Sequence, residues 1–285
     1  MDAKMKEQIV GASEATAFLE TIGEILRRTG PPEVEEYSRL LYKVQNILNH
    51  EDEEIRPRDA SRRPGGVIRL IPGVPTLLVP DLHARTDFLY SVFAARLAGG
   101  STLAAELGKG NLQLVCVGDA FHSERRGAQR WQDAFKEFQD GFKKHKHMDA
   151  EMTDSFGVME MVIRGKLAFP RHVHFLKGNH ENITNESGDG NHGFRKYAFE
   201  GPMVADYVKR FYGHEFLQTF YEFEKCLPLL VVGDGFLVSH AEPATFYEES
   251  RVINYRDDPE VVEGLTWTDN DAAEVSRSGS GAWSS

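Results

Sequence analysis

The spacing of apolar positions along this chain changes near residue 67. Before it, apolar side chains recur every three or four residues: Phe18, Ile22, Ile25 and Leu26 within 13–29, then Tyr37, Leu40, Leu41, Val44, Ile47 and Leu48 to about residue 49. That spacing lines one face of an α-helix and predicts two amphipathic helices, separated by the stop signal Gly30-Pro31-Pro32. The stretch 50–66 is charged, contains Pro57, Pro64, Gly65 and Gly66, and reads as an exposed connector. Beyond it the apolar residues come in short continuous runs: TLLVPDLHAR, LQLVCVGDAF, HVHFLKGNHE, and two stretches around a Gly-Asp turn in LPLLVVGDGFLVSHAEP. Runs of this kind predict strands covered on both faces, with helical patterns between several of them.

Each run ends on polar side chains: Asp81 and His83, then Gly118-Asp119, then Asn179-His180, and last His240. In sheets flanked by helices, ligands bind beyond the carboxyl ends of the strands, so these ends predict one shared polar site. At 285 residues, 41% hydrophobic and 27% charged, the chain has the composition of a globular protein of one large or two small domains. A net charge of −11 argues against binding a nucleic-acid backbone. No apolar run is long enough to cross a bilayer, and the start MDAKMKEQIV lacks a signal-peptide core, so no membrane association and a cytoplasmic location are expected. Cys116 and Cys226 are too few for a disulfide framework. The ending SRSGSGAWSS reads as loop or disorder.

The strand-end residues offer carboxylate, imidazole and amide donors without thiolate, a set that suits Mn, Fe or Zn. A carboxylate shared between two ions lets them sit close together, activate a water and clamp a phosphoryl group. His180, beside one donor, fits the delivery of a proton to a leaving group.

The ordered motifs PDLHA, GDAFHSE, GNHE and SHAE resemble those of the PPP-type serine/threonine phosphatases, within the calcineurin-like metallophosphoesterases. DLHARTDFLYSVF, the segment FYGHEFLQ to SHAEP, and GLTWTDND extend the resemblance over roughly residues 67 to 271. It implies an α/β fold, a sandwich of two mixed β-sheets flanked by helices. The expected division is a helical N-terminal extension over 1–65 and a metallophosphoesterase domain over 66–285. It implies two divalent or trivalent ions (Mn, Fe or Zn), with Asp81 and His83 on the first, Asp119 bridging, Asn179 and His240 on the second, and His180 as general acid. The implied activity is hydrolysis of a phosphomonoester on a phosphorylated protein or small molecule. A nucleotide pyrophosphatase or phosphodiesterase on the same dinuclear core is the enzymatic alternative, and a catalytically impaired metal-binding interaction module is the other.

The departures carry expectations too. Pro80 and Ala84 replace glycines of the first motif, and His240-Ala241-Glu242 replaces the family's His-Gly-Gly. His122-Ser123-Glu124 stands where the family has Asp-Arg-Gly. Glu124 is therefore expected to orient His180 and Arg125 or Arg126 to bind phosphate, with solvated loop charges as the alternative. Arg277 is expected as a late phosphate-binding arginine. The family carries a further metal-ligating histidine after the region marked here by Trp267 and Asp269, whereas no histidine follows His240. Residues 1–285 are thus expected to hold one ion tightly and a second weakly. The segment 124–165 exceeds what the motif order needs; Trp131, Phe135, Phe138 and Phe142 recur there at helical spacing. They predict a helix packed on the core, with a lid or a protein-partner surface as the alternative.

Overall fold

The two N-terminal helical patterns form α1 (Ala3–Leu26) and α2 (Val34–Asn49). This computed structural model describes residues 3–268, with side chains from residue 13 onward; Asp269, Arg277 and the SRSGSGAWSS tail lie outside the described residues. The buried face of α1 is Ala15, Phe18, Ile22 and Ile25, and that of α2 is Tyr37, Leu40, Leu41, Val44 and Leu48, matching the sequence periodicity.

The short apolar runs form strands: β1 (Val67–Arg69), β2 (Thr76–Val79), β3 (Gln113–Cys116), β4 (Val173–Phe175), β5 (Leu230–Gly233) and β6 (Phe236–Ser239). Among the described residues they make two three-stranded sheets, β2-β3-β4 and β1-β5-β6. The first is parallel throughout, with Leu78 opposite Val115 and Val115 opposite His174. The second is mixed: β1 runs parallel to β5, and β5 and β6 form an antiparallel hairpin turning at Gly235, whose φ of 77° suits glycine. The expectation of two mixed sheets therefore holds for one of them. Parallel pairing has a direct consequence for the site, because β2, β3 and β4 all end on the same edge.

Helices cross between the parallel strands: α3 (Thr86–Ala94) and α4 (Leu103–Gly108) join β2 to β3, and α5 (Ala128–Gln139) and α6 (Lys146–Ala168) join β3 to β4. After β4 come α7 (Glu200–Phe211) and α8 (His214–Glu224), and after β6 come α9 (Glu249–Ile253) and α10 (Pro259–Thr266). The aromatic stripe packs inward. Trp131 on α5 is wholly buried and its Nε1–H donates to the Ser123 carbonyl at 2.8 Å, while Phe135 stacks on Phe199 at 5.3 Å between ring centroids.

The stretch 50–66 departs from its expectation as an exposed connector. Arg56 is fully buried, paired with Glu51 at 2.9 Å, and donates to the Gly65 and Cys226 carbonyls at 2.7 Å each. A charge alternation that reads as surface becomes interior here because its charges satisfy one another, which is the condition for burying them.

Phe156 on α6 centres a buried aromatic group, with Tyr37 at 5.1 Å, Tyr212 at 5.0 Å and Phe121 at 5.4 Å between centroids. Phe121 directly precedes His122 in the loop after β3, so this core also buttresses the polar edge. Phe156→Ala should cost about 3–5 kcal/mol, through lost transfer energy and an uncollapsed cavity. Urea denaturation measures it, and a loss below about 1 kcal/mol would remove Phe156 from the centre of that core.

Candidate metal centre

Beyond the strand ends the chain enters left-handed backbone at several non-glycine residues: His83 (φ 41°), Ala84 (56°), Asp119 (54°) and His122 (63°). Such conformations cost of order 1–3 kcal/mol each and persist only where surrounding contacts hold them. The contacts are present. His83 N–H donates to the Asp119 carbonyl at 2.7 Å, and Ala84 N–H to the Ala120 carbonyl at 2.9 Å, lacing the loops after β2 and β3 together.

Glu181, the last residue of GNHE, performs the second lacing. Its buried carboxylate accepts N–H groups from Gly178 at 2.7 Å, Asp119 at 2.9 Å and Ala120 at 2.9 Å. The loops after β3 and β4 approach so closely that a Cβ on Gly118 would stand 2.7 Å from the Gly178 nitrogen. A Cβ on Gly178 would stand 2.8 Å from the Asp119 nitrogen and collide with Asp119 Oδ1. Glycine at both positions is what allows the contact.

These loops and the end of β6 converge. Asp119 sits at the middle with its two oxygens facing different partners. Oδ1 lies 3.5 Å from His240 Nε2 and accepts the His180 backbone N–H at 3.0 Å; Oδ2 lies 3.6 Å from His180 Nε2 and 3.8 Å from His83 Nε2. Asp81 reaches both sides, with Oδ1 3.6 Å from His240 Nδ1 and Oδ2 3.9 Å from His83 Nε2. Among the described residues, two groups have donor atoms within 4.8 Å of one another: Asp81, Asp119 and His240, and His83, Glu124 and His180.

Asn179 completes the first group. Its inner amide atom lies 3.0 Å from His240 Nε2 and 3.1 and 3.2 Å from the Asp119 oxygens. With oxygen inward, acceptors face acceptors; the repulsion is relieved by turning the amide so that its N–H₂ donates, or by a cation among the lone pairs. His240 Nδ1 meets the Val117 carbonyl at 2.9 Å, which seats the proton on Nδ1 and leaves the Nε2 lone pair inward. Carboxylates, imidazoles and an amide oxygen without thiolate fit a hard or borderline cation.

The electrostatics are those of a crowded acid site. Burial first, then the neighbouring Glu181 carboxylate, push the Asp119 carboxyl well above the usual range. Burial pulls the imidazoles the other way: His83 is lowered, His122 falls to about 3, and His180 drops well below its usual value. Neutral imidazole is the metal-binding form.

The remaining expected site residues lie differently. Glu124 does not hydrogen-bond His180; both its oxygens take Lys196 Nζ, at 2.7 and 2.8 Å, and Oε1 is 4.0 Å from His83 Nε2. The place against His180 belongs to His122, whose Nδ1 is 2.8 Å from His180 Nδ1, with Phe194 stacked on its ring at 5.0 Å. Glu124 stays near His83 and His180, with donor atoms within 4.8 Å of one another, but its hydrogen bonds go to Lys196. Arg126 donates to the Ala84 and His83 carbonyls, so its guanidinium braces the first loop, and Arg125 is exposed. Arg277 lies outside the described residues. Sequence reasoning gave Glu181, His122 and Lys196 no role; the first two were visible only as members of their motifs, and nothing in the sequence around Lys196 pointed to it.

No protein-family model and no curated protein matches the chain. Among solved structures, the chain is similar to a protein serine/threonine phosphatase from Saccharomyces cerevisiae with similarity to human phosphatase PP5, at 15% identity and a TM-score of 0.47. The match covers 84% of this chain and 59% of that one, less than two thirds of its length. No described helix is long and apolar enough to cross a membrane.

Proposed function

We propose that this chain is a metal-dependent phosphoric-ester hydrolase acting on phosphomonoesters. Asp81, His83, Asp119, Asn179 and His240 are its metal-binding set, for Mn, Fe or Zn. The observation that supports this most is the Asp119 carboxylate, which turns one oxygen to His240 and the other to His83 and His180 at the shared edge of three parallel strands. When bound there, cations supply the positive charge that stabilises a phosphoryl group and activates an attacking water. The chain's contribution is to hold donors in place before substrate arrives. Glu181 pins the Asp119 and Asn179 loops together, and the Val117 carbonyl orients His240. Preorganisation of this kind avoids reordering the site during reaction. Phosphorylated protein and small phosphate ester are both within this reading.

The reading of a metal-binding interaction module that lacks turnover has one observation in its favour. Arg126 is committed to backbone carbonyls and Arg125 is exposed, so neither provides a guanidinium fork at the cluster. The two readings separate in one assay. Metal-stripped protein supplemented with Mn²⁺ should release p-nitrophenol from p-nitrophenyl phosphate, and more slowly from bis(p-nitrophenyl) phosphate. Metal retained without hydrolysis of monoester, diester or nucleotide pyrophosphate would sink the hydrolase and leave the module.

A further inference from the structure

We infer that this chain completes its second cation site with Glu124 and His180, together with His83 and the Oδ2 oxygen of Asp119, so that His180 is a metal ligand rather than a proton donor. The inference rests on the metal-centre part of the proposed function and reassigns residues within it. His83, Glu124 and His180 have donor atoms within 4.8 Å of one another. His83 Nε2 is 4.0 Å from Glu124 Oε1 and 3.8 Å from Asp119 Oδ2, and His180 Nε2 is 3.6 Å from the same Asp119 oxygen. Donors around one ion at ~2.1 Å stand roughly 3.0–3.5 Å apart, so these three pairs are within about 1 Å of coordinating separations, and Glu124 and His180 lie within 4.8 Å of one another.

A second observation points the same way. Ligating imidazoles engage their other nitrogen in a hydrogen bond that fixes the ring. His180 does so through His122: the Nδ1 atoms are 2.8 Å apart, and with the proton on His180 Nδ1 its Nε2 lone pair faces the cluster. That tautomer places His180 as the Val117 carbonyl places His240, with the difference that the carbonyl can only accept while His122 Nδ1 can donate or accept. Phe194, 3.8 Å from His180 and 5.0 Å from His122 between ring centroids, walls the pair in place. On this assignment the first ion takes Asp81, Asp119 Oδ1, Asn179 and His240, and the two ions share one carboxylate. Residues 1–285 then hold two ions without a further histidine. Lys196 is the competitor, since it neutralises Glu124 from the other side.

The test counts metal and does not read turnover. Metal-free protein titrated with Mn²⁺ should bind two ions per chain, with an electron paramagnetic resonance signal of exchange-coupled ions. Glu124→Gln, at a side chain already 31% exposed and therefore safe for the fold, should weaken the second ion at least ~10-fold and collapse the coupled signal. Lys196→Met should tighten the second ion ~2- to 5-fold by removing an exposed ion pair. Two ions bound with unchanged affinity in both variants, or a single ion in the unmodified chain, overturns this assignment while leaving the metal centre standing. No ion in any form overturns the metal centre itself.

Discussion

Asp119→Asn should empty the centre: both ions lost at micromolar metal, and metal-dependent hydrolysis reduced by at least ~10²-fold. The substitution keeps the shape and removes the charge. Its effect is double because the two carboxylate oxygens serve different neighbours, His240 on one side and His83 with His180 on the other. An amide also turns one of those faces into a donor, which is repelled by a cation. The same change should leave the metal-free protein no less stable, and more stable by about 1 kcal/mol. Asp119 is a buried acid beside a second buried acid, and a neutral isostere removes that conflict. Metal content by mass spectrometry and thermal unfolding without metal read the two halves separately. Unchanged metal content would refute the shared carboxylate; a strong loss of metal-free stability would mean that Asp119 holds the fold rather than the ion.

The second large effect is expected at Gly178→Ala. Its Cβ would meet the Asp119 nitrogen at 2.8 Å and Glu181 Oε2 at 3.0 Å, besides colliding with Asp119 Oδ1. None of these can retreat. The nitrogen is backbone, and the Glu181 carboxylate is held by N–H groups from Gly178, Asp119 and Ala120. Separating the two loops should cost roughly 2–3 kcal/mol and lower Tm by about 5–10 °C, with metal affinity falling because Asp119 and Asn179 move apart. Gly235→Ala is the control. Gly235, unlike Gly178, has a positive φ, of 77°, and nothing stands within 4 Å of its added Cβ, so only the conformational cost of about 1 kcal/mol applies. A loss at Gly178 no larger than that at Gly235 would show that the loops yield to the added methyl and that their close approach does not make Gly178 necessary.

The sequence by itself determined the elements and the polar residues at their ends. Helix faces such as Tyr37, Leu40, Leu41 and Val44 follow from periodicity, and the runs before Asp81, Asp119, Asn179 and His240 read as strands because they are short, apolar and continuous. The ends of β2, β3 and β4 share one edge of a parallel sheet, whereas His240 follows β6 in the second, mixed sheet and is brought to them only by the tertiary structure. The tertiary structure alone decided which neighbour each polar group faces. The loops after β2 and β3 turn through left-handed residues at His83, Ala84, Asp119 and His122. Across that turn Glu124 takes Lys196 as its partner while His122 takes the place against His180. Arg56 makes the same point away from the site: its charge predicts surface, and Glu51 with two carbonyls makes it interior. Strand and helix follow from the order of residues along the chain, whereas hydrogen-bond partners depend on loop dihedrals and on segments far apart in sequence, and those exist only once the chain has folded.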